Sequence, residues 1–85
     1  MKIQYQEDTK RFPDFASYAD AVKEAMKAFD LEKKDRKYVI GKVLKFYYVD
    51  QDGDIISITS EGDLKEAQRE YPDGRLKLIL TETLD

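Results

Sequence analysis

Residues 43–49 read Val-Leu-Lys-Phe-Tyr-Tyr-Val, and this run constrains the fold more than any other. It is strongly β-prone and almost continuously apolar, so it predicts a central strand with neighbours on both sides. The chain has 85 residues and no cysteine, which excludes a disulfide framework and thiolate metal sites. A chain of this length makes one modest core, and packing alone must hold it. The remaining elements therefore have to supply strands beside residues 43–49 and cover for them.

The sequence supplies these elements in order. Ile3 and Tyr5 alternate with Lys2, Gln4 and Gln6, which predicts a half-buried first strand. Glu7-Asp8 reads as a turn. Thr9 to Phe12 reads as a second strand stopped by Pro13. With Ile3 and Phe12 on the core face, simple antiparallel pairing sets Gln4 opposite Arg11 and gathers Lys2, Gln4 and Arg11 on the solvent face. Ser17-Tyr-Ala-Asp20 is a capping box with Asp in place of Glu, opening a helix to about Phe29. Tyr18, Val22, Ala25, Met26 and Phe29 form its apolar stripe, the pattern of a core face. Residues 30–42 read as a basic connector ending near Gly41, with Tyr38-Val39-Ile40 expected to pack back on the core. After the central strand, Gln51-Asp52-Gly53 turns the chain and Asp54 to Ile58 returns as a strand. Ser60-Glu-Gly-Asp63 is a second capping box, opening a helix through about Glu70. Tyr71-Pro-Asp-Gly74 ends it. Arg75 to Thr81 is the last strand, with Leu76, Leu78 and Leu80 on one face, and residues 82–85 are expected to fray. The order is ββαββαβ: one α+β domain over residues 1–85, with a mixed sheet and two helices.

Composition narrows the function. There is no histidine, which removes the commonest general base and the commonest zinc ligand. The chain is expected to be no enzyme and to carry no cofactor. No apolar run reaches the roughly 20 residues of a membrane span, and Met1-Lys-Ile-Gln-Tyr is not a signal peptide, so a cytoplasmic domain without membrane contact is expected. Net charge is only −3, but the charges are segregated. Residues 33–45 hold Lys33, Lys34, Arg36, Lys37, Lys42 and Lys45 against Asp35 alone. Residues 50–63 hold Asp50, Asp52, Asp54, Glu61 and Asp63 and no base. Such a polarised chain can bind a copy of itself head to tail. Its acidic balance and the scarcity of aromatics within the basic run argue against nucleic acid.

Like charges packed together cost free energy, so the acidic segment calls for a receiver outside itself, either a cation or a basic partner surface. Taken as an EF-hand loop beginning at Asp50, the segment sets Asp52, Asp54 and Glu61 at positions 3, 5 and 12. Position 6 would then be Ile55, where the sharp turn needs glycine, and the flanks are strands, so no metal site is expected. A plain solvated Asp-Gly turn is the other reading. The helix N-terminus accounts for Glu61 and Asp63 electrostatically, but Asp50, Asp52 and Asp54 have less structural reason to be there.

Asp50-x-Asp52-Gly53-Asp54, an alternating apolar strand, then Ser60-x-x-Asp63-Leu64 and Ala67 closely resembles the acidic OPCA motif of Phox/Bem-one (PB-one) interaction domains. Lys2-x-x-Tyr5 followed by Lys10-Arg11-Phe12 looks like the basic signature of the same family. The element order is similar to that family's ubiquitin-like β-grasp fold, and the resemblance spans the chain. It implies a mixed type I/II domain, in which an acidic face (Asp50, Asp52, Asp54, Glu61, Asp63) binds the basic face (Lys2, Lys10, Arg11) of another domain. The implied role is a scaffold or signalling module that oligomerises with itself, as a homo-oligomer or filament, or with other family members. The alternative is a noncovalent ubiquitin-like docking domain that binds through an apolar patch on the sheet. The C-terminal Thr-Glu-Thr-Leu-Asp85 lacks the Gly-Gly of a conjugated modifier.

Overall fold

The structure is a computed structural model and describes residues 1–31, 40 and 44–82. The order ββαββαβ holds: β1 (Lys2–Tyr5), β2 (Asp8–Arg11), α1 (Tyr18–Ala28), β3 (Leu44–Val49), β4 (Ile55–Ile58), α2 (Glu61–Glu70) and β5 (Lys77–Glu82). The strands form one mixed sheet in the order β2-β1-β5-β3-β4. β1 and β5 are parallel, and the other pairs are antiparallel. The apolar run of residues 44–49 thus lies between β5 and β4, one strand from the edge. The expected tail begins late: β5 extends through Glu82, which pairs with Leu44, and residues 83–85 lie outside the described residues. Most of the basic connector also lies outside them, including Tyr38 and Val39, but Ile40 is buried as expected.

One face of the sheet is the core. Ile3, Leu44, Phe46, Ile58, Leu78 and Leu80 point into it and are almost fully buried, joined by Leu64 and Leu76. Each such side chain contributes about 1.5–3 kcal/mol by leaving water. α1 covers this face with Ala21, Ala25 and Phe29, whereas Tyr18, Val22 and Met26 are only half-buried. The small alanines let the helix approach the sheet, and this pushes the expected stripe partly to one side. Phe29 packs against Tyr5 and Phe12, with ring centroids at 5.6 and 6.4 Å. Among the described residues no helix is long and apolar enough to cross a membrane.

The β1–β2 register differs from the expected one. Lys2 pairs with Arg11, Gln4 with Thr9 and Tyr5 with Asp8, so the turn is Gln6-Glu7 rather than Glu7-Asp8. Gln6 takes a left-handed φ of 55°, and the Gln4 side-chain amide donates to its carbonyl at 3.0 Å. That tight turn draws Asp8 into the strand. The slip is two residues, and strand faces alternate with period two, so Lys2, Gln4 and Arg11 still share the solvent face.

Candidate interaction surface

The acidic turn follows β3, and its geometry comes from its own first residue. The Asp50 carboxylate accepts the backbone N–H groups of Asp52 at 3.0 Å and Asp54 at 2.8 Å, through one oxygen. The Gly53 N–H donates to the Asp50 carbonyl, and the Asp50 N–H donates to the Asp54 carbonyl. Gly53 has φ 86°, a conformation that glycine adopts without cost. Asp50 therefore has a structural role that the sequence reading did not assign to it. Asp52 and Asp54 project into solvent, and among the described residues neither makes an ion pair. Carboxylate oxygens of the three aspartates can lie within 4.8 Å of one another.

The C-terminal end of α2 clamps this turn. Glu70 accepts from the Tyr48 hydroxyl at 2.7 Å and from the Gln51 N–H at 3.4 Å, and the Gln51 side chain donates to the Glu70 carbonyl. Tyr71 donates its hydroxyl to the Val49 carbonyl at 2.6 Å. Burial, and then the bond to Glu70, hold the Tyr48 phenol protonated well above its usual range. Glu70 and Tyr71 thus serve the site from outside the acidic motif. In the sequence, the only signal for them was their place at the end of an amphipathic helix.

Glu61 and Asp63 do not join the Asp50–Asp54 turn. They sit in the first turn of α2, whose other end holds the turn, so about 10–14 Å of helix separates the two groups. Both are engaged locally. The Tyr18 N–H donates to both oxygens of Glu61 at 3.2 Å, so a residue of α2 caps the start of α1. Asp63 accepts from the Thr59 N–H at 3.1 Å and the Thr59 hydroxyl at 3.2 Å, while its own N–H donates to Ser60 Oγ. The Thr59 backbone bond is the main cause holding the Asp63 carboxyl below its ordinary 3.8; partial burial opposes it. The acidic surface is therefore a free dianion at the turn plus two tethered carboxylates along α2.

The basic residues divide between the two faces of the sheet. Lys2 and Arg11 lie opposite each other on the face that the helices leave uncovered, and both are exposed. Lys10 pairs with Ile3, so it points to the helix side. There its ammonium lies 3.6 Å from Asp8 and 5.9 Å from the centre of the Phe29 ring. The structure brings together Lys2 and Arg11 and leaves Lys10 apart.

The sheet order separates these two groups. Arg11 lies on the edge strand β2 and Lys2 on its neighbour β1, while the aspartate turn joins β3 to the other edge strand β4. Two to four strand spacings, about 10–19 Å, lie between them.

The sequence matches the PB1 domain family over residues 1–83. No curated protein matches the chain. Among solved structures the AtNBR1-PB1 domain superimposes with a TM-score of 0.70 over 96% of this chain and 93% of that one, at 19% identity, a likeness of fold. That match takes in both edges of the sheet and the helix between the two acidic groups, and the chain belongs to the PB1 domain family, protein-protein interaction modules that bind one another.

Proposed function

We propose that this domain is a non-enzymatic cytoplasmic scaffold module that oligomerises front to back. The Asp52–Asp54 turn of one copy meets Lys2 and Arg11 of the next. The observation that carries this reading is charge that has no ion-pair partner among the described residues: the Asp52 and Asp54 carboxylates on the β3–β4 turn, and the Lys2 and Arg11 cations on β1 and β2 at the other side of the sheet. Two different complementary surfaces on one chain form a heterologous contact, which continues into a filament or closes into a ring. Arg11 can hold a carboxylate with two parallel hydrogen bonds, while Lys2 acts as a compact charge. A single exposed pair is worth about 0–1 kcal/mol. A network of several, shielded from bulk water, reaches about 8 kcal/mol, which is micromolar binding.

Light scattering across salt concentration tests this. The Debye length falls from about 10 Å at 0.1 M salt to about 3 Å at 1 M, so assemblies should shorten as salt rises. Assemblies that persist or grow at 1 M salt contradict the charge reading. They would favour docking through the sheet face opposite the helices, where Val49 is 43% and Ile55 62% exposed.

A further inference from the structure

We infer that Lys77 is a third partner-binding cation, and that the groove it shares with Lys2 and Arg11 seats the Asp50–Asp54 turn of a second copy. The inference rests on the front-to-back reading and specifies what fills its basic side. Lys77 lies opposite Lys2 in the parallel β1–β5 register, and Lys2 lies opposite Arg11. The three cations thus form a row across three adjacent strands, all exposed on the sheet face opposite the two helices. Neighbouring strands are about 4.8 Å apart, and like charges placed directly opposite destabilise a sheet. Among the described residues none of the three has an ion-pair partner. A cavity of about 430 Å³ lies at this row, lined by Lys2, Arg11, Arg75 and Lys77 together with Met1, Phe12 and Gly74. Arg75 is already answered by Asp73 at 3.0 Å, whereas Lys77 on the same wall has no ion-pair partner among the described residues.

Charge complementarity selects the occupant. Among the described residues the row has no anion paired to it, and the Asp52 and Asp54 carboxylates have no cation. Asp50 fixes their backbone, so the two charges arrive on a turn that is already shaped. Binding such a turn costs less ordering than binding a disordered acidic peptide. Lys77 stands outside the Lys2-x-x-Tyr5 and Lys10-Arg11-Phe12 pattern. Only the parallel β1–β5 pairing brings it beside Lys2.

The experiment uses two variants of the chain, each with one working surface. Lys2→Glu keeps the acids. Asp52→Arg with Asp54→Arg keeps the groove. Calorimetry gives the Kd of their complex, and Lys77→Gln is then added to the partner with the intact groove. Kd should rise about threefold to tenfold, the range for one partly shielded charge pair, and its dependence on salt should become shallower. Lys77→Arg should restore most of the affinity. Lys23→Gln, which removes an exposed charge from α1, should leave Kd unchanged. The inference is overturned if Lys77→Gln leaves Kd within about twofold, or if Lys23→Gln weakens binding equally. In either case the front-to-back reading stands, because the parent pair still binds. Failure of the parent pair to bind removes both.

Discussion

Asp50 and Asp52 are both acids in one exposed turn, yet their removal should affect folding differently. Asp50→Ala deletes the acceptor of two backbone N–H groups, at 3.0 and 2.8 Å. Hydrogen bonds to charged groups contribute about 1.5–3 kcal/mol when protected from water, and ordinary ones about 0.5–1.5. This turn is exposed, so water replaces part of each bond, and the lower figures apply: about 1–2 kcal/mol for the two. Repulsion within the turn acts the other way. Two charges about 5 Å apart in water repel by roughly 0.8 kcal/mol before salt screening, so removing Asp50 returns some tenths of a kcal/mol. The net loss for Asp50→Ala is about 1 kcal/mol. The Asp52 side chain accepts no bond among the described residues, so Asp52→Ala brings only the relief of repulsion. It should leave stability unchanged or raise it by up to about 0.5 kcal/mol. Asp50→Asn keeps a carbonyl acceptor while losing the charge, and should fall between the two. Urea denaturation measures all three, with the m-value checked for constancy. If Asp50→Ala proves as harmless as Asp52→Ala, the turn is not organised by its first residue. A large loss from Asp52→Ala would show that the cluster is structural.

Two further outcomes follow from the fold. Leu78 is fully buried on β5, so Leu78→Ala should cost about 2–5 kcal/mol by denaturation. Asp63 has a lowered pKa in the folded state, so its contribution to stability is present above its ordinary 3.8 and is lost as pH falls from there through the lowered value. Asp63→Asn should therefore cost about 0.5–1 kcal/mol at neutral pH and flatten stability against pH below about pH 4, both measurable by acid titration of unfolding.

The order of elements was legible because each one carries its own local signal. Ser17 and Ser60 mark helix starts by accepting from the N–H three residues on, and Leu78 and Leu80 announce a buried strand face by alternation. The β1–β2 register was not legible, because it depends on Gln6 adopting a positive φ, which nothing about glutamine advertises. Parity survived because burial of Ile3 forbids a slip by one but tolerates a slip by two. The acidic residue types were visible in the sequence, and their geometry only in part. Spacing along the chain could not show that Glu61 turns to the N-terminus of α1, a contact across 43 residues. Alternation along the strand did set Arg11, and not Lys10, beside Lys2 on the solvent face, whereas the family resemblance carried Lys10 and Arg11 together. The placement of Lys77 beside Lys2 was not legible for a related reason: the two lie at opposite ends of the sequence, and only the parallel pairing joins them.

Front-to-back assembly requires two different surfaces of one sheet, the Asp52–Asp54 turn between β3 and β4 and the cations on β1 and β2, to meet between copies. Mixing the Lys2→Glu variant with the Asp52→Arg, Asp54→Arg variant tests it most directly. Each alone keeps one working surface and should be a monomer. Together they should form a one-to-one heterodimer and stop there, because the two remaining surfaces are both broken. The deciding quantity is the mass of the equimolar mixture by light scattering at low salt. Twice the monomer mass bears the account out, whereas two monomers that ignore each other, or either variant alone still forming long oligomers, contradict it.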